Sequence, residues 1–233
     1  RMATNGEVFD SIATTWYGIR HWPLLPNEMA ELAARWTRGR LINLGCGAGA
    51  DFLPFEQTMG LVGLDCSRGM LSQASRHMKR HRLQASLVQG DLVNLPLADN
   101  SFDYATGVAC YHHIRGVAAR TQAFAELSRV LRPGGEAFIS VWNHDQPRFV
   151  DMPQDCLVPW ARGKNALLRY YYLYTTDELG TTLTGCGFEI LQLGAGTQRG
   201  QATVEDRRNI CALVRKPASA AWSANRAELA EPG

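Results

Sequence analysis

Apolar positions recur along this chain with two different spacings. Over residues 7–36, Phe9, Ile12, Ala13 and Trp16 fall at helical spacing, Pro23 and Pro26 interrupt it, and Met29, Leu32, Ala33 and Trp36 resume it. This predicts helix, break, helix. The short apolar run from Arg40 to Leu44 ends at a glycine-rich turn and predicts a buried strand. Strand and helix then alternate. Leu61 to Leu64 runs into Asp65, and Ser67 is placed to cap a helix carrying Met70, Leu71, Ala74 and Met78. Ser86–Gln89 is a third strand ending near Asp91, Phe102–Val108 a fourth and Glu136–Trp142 a fifth. Between the last two, Phe124, Leu127, Val130 and Leu131 share one face of a helix that Pro133-Gly134-Gly135 stops. Repeated units of this size predict a doubly wound α/β fold, a mostly parallel sheet with helices on both faces.

From 143 to 172 the periodicity fails and Trp, Pro and Tyr accumulate, which predicts a cap inserted over the strand ends. Thr175 or Thr176 caps a helix through Leu183. Phe188–Leu193 and Asn209–Val214 then predict a closing hairpin at the antiparallel edge of the sheet. The expected organisation is an N-terminal helical lid over 1–37, an α/β domain over 38–216 with its cap at about 143–172, and a polar, Ala-rich tail over 217–233.

Composition narrows the picture. A chain of 233 residues, 45% hydrophobic and 20% charged, can bury a sizeable core and is not a disordered one. No run approaches the ~20 apolar residues that span a bilayer, and no charged-then-apolar leader precedes Val8, so no membrane partner is expected. A formal net charge of +2 neither demands nor excludes nucleic acid. The six cysteines, at 46, 66, 110, 156, 186 and 211, include no Cys-x-x-Cys pair. A metal site is therefore not expected, and free thiols suit a reducing, cytoplasmic location.

The candidate chemistry lies at strand ends. Gly45-Cys46-Gly47-Ala48-Gly49-Ala50 follows the first strand and satisfies both Gly-x-Gly-x-Gly and the dinucleotide pattern Gly-x-Gly-x-x-Ala. Alone it points to a nucleoside held at a strand end. Asp65, 20 residues after Gly45, can accept hydrogen bonds from both ribose hydroxyls. Asp91 has no standard role with NAD, but suits an adenine amino group, with Leu92 or Met70 against the ring. Singly, either acid is equally well a helix cap or a solvated loop residue. Two of them on successive strand ends beside a glycine turn favour the ligand.

These residues resemble the class I S-adenosylmethionine-dependent methyltransferases. The matching pieces are Leu41–Gly49, Leu64-Asp65, Gly90-Asp91-Leu92, Asn100-Ser101-Phe102-Asp103 and Leu131–Gly135. The resemblance implies a seven-stranded, Rossmann-like methyltransferase fold with S-adenosyl-L-methionine as cofactor. It places that cofactor across Gly45, Cys46, Gly47, Asp65, Cys66, Met70, Asp91, Leu92 and Ala109. One position departs from the pattern: the family usually carries an acid two residues before the first glycine, and here stands Asn43.

A narrower set is similar to the tRNA wobble-uridine (5-carboxymethyluridine) carboxymethyl methyltransferases. It comprises Val8-Phe9-Asp10 with Ile12-Ala13, then Tyr17, Arg20, Trp22 and Pro23, the stretch Ala109–Ile114, the run Arg169–Tyr174 before Asp177-Glu178-Leu179, and Arg208-Asn209. This resemblance implies tRNA as substrate, esterification of a carboxymethyl group, and a small zinc-binding activator subunit as partner. A carboxylate acceptor is ionised at neutral pH and needs no base. Arg20 and Arg169 are then expected to hold the acceptor anion, since a guanidinium fork matches a carboxylate or phosphate. Tyr17 is expected at the cofactor's methionine end, and Trp22 or Tyr170 against a base. In His112-His113, His112 is the candidate catalytic base, against the blander reading of one capping and one packing histidine. A small-molecule methyltransferase is the alternative function, and a non-catalytic nucleoside-binding scaffold the third.

Overall fold

The computed structural model describes residues 4–55, 59–149, 151–160, 167–195 and 208–218. Two helices come first. Helix α1 (Asn5–Ile19) starts at Thr4, which exchanges hydrogen bonds with Glu7 in a capping box, and α2 (Pro26–Arg35) starts at a proline whose missing N–H costs nothing there. Then follow β1 (Gly39–Leu44), a 3-10 turn (Ala50–Phe55), β2 (Met59–Asp65), α3 (Arg68–His81) capped by Ser67, and β3 (Ala85–Gln89). Strand β4 (Phe102–Val108), a short 3-10 turn (Tyr111–His113), α4 (Val117–Val130) and β5 (Leu131–Trp142) complete the repeating part.

Seven strands form one sheet in the order β3-β2-β1-β4-β5-β9-β8, with β8 (Glu189–Ala195) and β9 (Asn209–Arg215) after α5 (Thr176–Gly185). All pairings from β3 to β5 are parallel, while β9 runs antiparallel to both β5 and β8. The expected hairpin is thus present, but only β8 is an edge; β9 lies inside the sheet. Ile42, Leu44, Ala105 and Ile139 bury one face against α4 and α5 through Phe124, Leu127 and Leu183. Leu41, Val108 and Phe138 bury the other against Met29, Trp36, Phe52 and Met78. Strand order reverses between β1 and β4, so their carboxyl ends splay into a crevice, the usual place for a ligand in an open α/β sheet.

Among the described residues of 143–172 lies a second sheet, which the sequence pattern misses. Strands β6 (Asp155–Pro159) and β7 (Leu168–Tyr172) pair antiparallel. Cys156 and Val158 point inward with Phe149, Tyr171 and Leu173, and Trp142 packs against them. The alternation is two residues deep on β6, and Arg169 to Tyr172 on β7 are all buried, so period-2 patterning is invisible there. The tail from 219 onward lies outside the described residues.

One ionic knot around the buried Glu136 carboxylate ties α2 to the sheet. Glu136 on β5 accepts from Arg35 at 2.7 and 2.6 Å, from Trp36 Nε1 at 2.9 Å and from Arg215 at 3.0 Å. The Arg35 hydrogen bonds, opposed by burial, bring its carboxyl down to about 2.

Candidate functional site

A cavity of about 400 Å³ occupies the crevice at the reversal point, within the usual size range of small-molecule sites. The turn after β1 forms its floor. Gly45 has φ +63°, and a side chain there would bring a Cβ to 2.4 Å from Cys110 Cβ. Only glycine fits, which is why the turn can lie flat under a ligand. Across the crevice, Ala109 adopts φ +55° directly after β4, its amide held by Ser140 at 3.0 Å to the carbonyl and 3.1 Å to Oγ. A left-handed alanine costs about 1–2 kcal/mol, and it turns the chain back along the cavity wall.

Two carboxylates face the cavity from the tips of β2 and β3. Asp65 Oδ2 accepts from Gly47 N at 2.8 Å and Oδ1 from Ser67 N at 2.9 Å. Burial pushes this carboxyl up, and those amides pull it back toward the ionised form. The Cys66 amide acts in the same direction, and a carboxylate that can take about four donors keeps acceptor capacity toward the cavity. Asp91, exposed on the neighbouring tip, accepts from Val93 N at 3.0 Å and lines the same space. Cys46, Cys66, Met70, Leu92 and Ile114 supply apolar wall. Bare backbone, two acceptors at adjacent strand ends and apolar flanks fit a nucleoside's hydroxyls, amino group and ring.

Helix α1 closes the cavity from above and is pinned to both banks. Asp10 Oδ1 accepts from Ser67 Oγ at 2.6 Å and Gly69 N at 2.7 Å, and Asn5 Nδ2 donates to the His113 carbonyl at 2.6 Å. Gly69 lets the helices touch: a Cβ there would sit 3.0 Å from Ala13 Cβ. Phe9, Trp16 and Arg20, spaced seven and four residues apart, share the face that looks down into the cavity. Tyr17, expected at the cofactor's tail, lies one residue and about 100° further round. Its hydroxyl meets His77 Nδ1 on α3 at 3.1 Å, outside the cavity wall.

The histidine pair divides in a way the sequence does not reveal. His112 is withdrawn from the cavity: its Nδ1 accepts from Trp142 N at 3.2 Å and its ring stacks on Tyr171. Burial, then His113 and Arg169, push it well below the usual histidine range. A neutral, packed ring is a poor base, so the expected role for His112 does not match its place. His113 lines the cavity instead. Its Nδ1 lies 2.9 Å from the Tyr170 carbonyl, which can only accept, so Nδ1 carries the proton and Nε2 is left as an acceptor. Burial lowers its pKa to about 4, against the raising effect of that carbonyl, and it is neutral at pH 7.

Arg20 and Arg169 both act electrostatically on Tyr171. Arg20 lies on the cavity wall, 5.6 Å from the Trp16 ring centroid. Arg169, on β7, stands behind the wall between Trp160 at 5.0 Å and Tyr171 at 5.2 Å, with Nε buried and lacking a hydrogen-bond partner. Burial lowers both guanidinium pKa values, with Tyr171 opposing it, and Arg20 further lowers that of Arg169. Trp22 also lines the mouth and is 63% exposed. Asp51, which the sequence does not single out, belongs to the wall as well, beside Phe9. Among the described residues no cluster of His, Cys, Asp or Glu is placed to hold a metal ion, and no helix is long and apolar enough to cross a membrane.

A methyltransferase-domain family matches residues 41–135. An Encephalitozoon cuniculi protein named as a methyltransferase is 31% identical over 193 residues, spanning 80% of this chain and 86% of that protein. The tRNA (carboxymethyluridine(34)-5-O)-methyltransferase of Schizosaccharomyces pombe is 26% identical over 215 residues, spanning 81% of this chain and 90% of that one. Among solved structures, the Haloferax volcanii methyltransferase in complex with the Trm112 activator superposes with a TM-score of 0.65 at 19% identity, covering 91% of this chain and 97% of that chain, a likeness of fold.

Proposed function

We propose that this chain, which belongs to the class I S-adenosylmethionine-dependent methyltransferases, methylates the carboxymethyl group of a modified wobble uridine in tRNA. S-adenosylmethionine is its cofactor, and when bound supplies a methyl group already activated by a sulfonium. What remains for the protein is to bind, align and exclude water. Asp65 and Asp91 take the adenosine's hydroxyl and amino donors, Gly45, Cys46, Gly47 and Ala109 give it backbone to lie on, and Cys66, Met70 and Leu92 flank the ring. Residues 1–37 act as a lid through α1. The acceptor carboxylate is ionised at neutral pH, so no proton needs to be removed before attack.

The observation that carries the acceptor assignment is Arg20 on the cavity wall with Arg169 behind it against Tyr171, each guanidinium disfavoured by burial. An arriving anion relieves both. Arg20 meets the carboxylate and Arg169, from behind, sets the potential. Exposed Trp22 offers a stacking face to a base at the mouth. A small activator subunit of the Trm112 kind and a cytoplasmic location go with this substrate. The small volume of the cavity beneath α1 favours the second reading, a carboxylic-acid metabolite as acceptor.

Incubation with labelled cofactor and total tRNA, with and without an activator subunit, is expected to place label in tRNA that mild base releases as methanol, as a methyl ester requires. Arg20→Ala should lower turnover by about 10- to 100-fold, the loss of one charge-assisted contact, while affinity for S-adenosylhomocysteine holds. No label in tRNA under either condition defeats the tRNA assignment and leaves the metabolite.

A further inference from the structure

We propose that Asp51 is the anionic partner of the α-ammonium group at the amino-acid end of the bound cofactor, and so selects for the intact homocysteine tail. The inference rests on the cofactor, not on the acceptor. Among the described residues the cavity wall carries three carboxylates, Asp51, Asp65 and Asp91. Two of them stand on the adjacent tips of β2 and β3 and match the donors of a nucleoside. The cofactor has one more strong donor, its ammonium.

Asp51 stands apart from the other two, in the first turn of the 3-10 segment Ala50–Phe55 beyond the glycine turn. Arg20, Trp22 and Leu24 share that part of the wall. Burial raises its carboxyl to about 6, while the Leu24 amide and the Arg20 charge act to lower it. A carboxylate can take about four donors, so Asp51 has acceptor capacity beyond the Leu24 amide. Placed in a half-buried site, it gains from a cation that also donates.

The nearest polar rival does not qualify. Asn43, two residues before Gly45, is uncharged, buried, and absent from the cavity wall, with both amide atoms lacking hydrogen-bond partners. Its side chain faces the sheet core beside Thr106 on β4, whose hydroxyl is likewise unpartnered. Of the wall's carboxylates, Asp51 is then the one that no nucleoside donor claims.

The test is calorimetric binding of three nucleosides to the full chain and to Asp51→Asn: S-adenosylhomocysteine, its analogue without the amino group, and 5′-methylthioadenosine, which lacks the whole amino-acid tail. In the variant, affinity for S-adenosylhomocysteine should fall about 10-fold or more, and that for methylthioadenosine should stay within about twofold. The unmodified chain should prefer S-adenosylhomocysteine to the deaminated analogue, and the variant should not. Equal losses for S-adenosylhomocysteine and methylthioadenosine, no loss for either, or no preference by the unmodified chain would each overturn the assignment. Failure of the unmodified chain to bind any of the three would overturn the cofactor reading and Asp51 with it, whatever the tRNA assay shows.

Discussion

Asp65→Ala is expected to raise the dissociation constant for S-adenosylhomocysteine by about 100-fold or more. The magnitude follows from what the carboxylate does. Hydrogen bonds to a charged partner contribute about 1.5–3 kcal/mol each, and Asp65 keeps acceptor capacity for the ribose beyond its backbone amides. The same oxygens hold the amides of Gly47 and Ser67, so truncation also loosens the glycine turn and the start of α3. Both losses act in one direction. Asp91→Ala should cost less, because Asp91 is exposed and water can replace it. Calorimetry gives the affinities, and a melting curve of each variant separates ligand contact from unfolding. Unchanged affinity in a folded Asp65→Ala protein would remove the nucleoside from the β2 tip.

The second large effect concerns stability. Glu136→Ala should destabilise the fold by about 1–2 kcal/mol: the buried Trp36 Nε1 loses its acceptor, while Arg35 and Arg215, 46% and 37% exposed, are partly re-solvated by water. Arg35, Trp36 and Arg215 all converge on this one carboxylate, linking α2, β5 and β9. The pH dependence has a defined sign. The folded-state pKa is depressed to about 2, below the value near 4.3 of a free glutamate. The contribution of Glu136 is therefore fully present above about pH 4.5 and disappears as pH falls toward 2. Urea titrations at pH 7 and pH 3 should show the gap between parent and variant narrowing at the lower pH. A gap that is constant or wider at pH 3 would contradict the ionic account of this knot.

The legible parts of this protein are those with strong local signals. Phe102–Val108 is a strand with the expected bounds, because aromatic and β-branched residues there are bounded on both sides by turn-forming residues. Ser67 and Thr175 cap the helices that follow them because short hydroxyl side chains satisfy the first amides. The glycine turn and the two strand-tip acids were readable for the same reason: steric freedom and charge are properties of single residues. What depends on rotation or depth was not readable. Whether Trp16 or Tyr17 faces the cavity turns on about 100° of helix phase, and His113 displaces His112 from the site because a 3-10 turn sets their directions. Arg169 stands just behind the wall, between the Trp160 and Tyr171 rings, a depth that its place in the sequence does not show. The sheet of β6 and β7 was hidden, since β7 buries neighbouring residues on both sides and shows no alternation. Asp51 looked like any acid after a turn, and only its place on the cavity wall beside Arg20 marks it.

The most direct measurement is a crystal structure of the chain soaked with S-adenosylhomocysteine. The account predicts the ribose hydroxyls on Asp65, the adenine amino group at Asp91, and the ring beside Leu92 and Met70 beneath α1. A nucleoside found elsewhere, or bound in this crevice with Asp65 and Asp91 turned away from it, would contradict the account at its root.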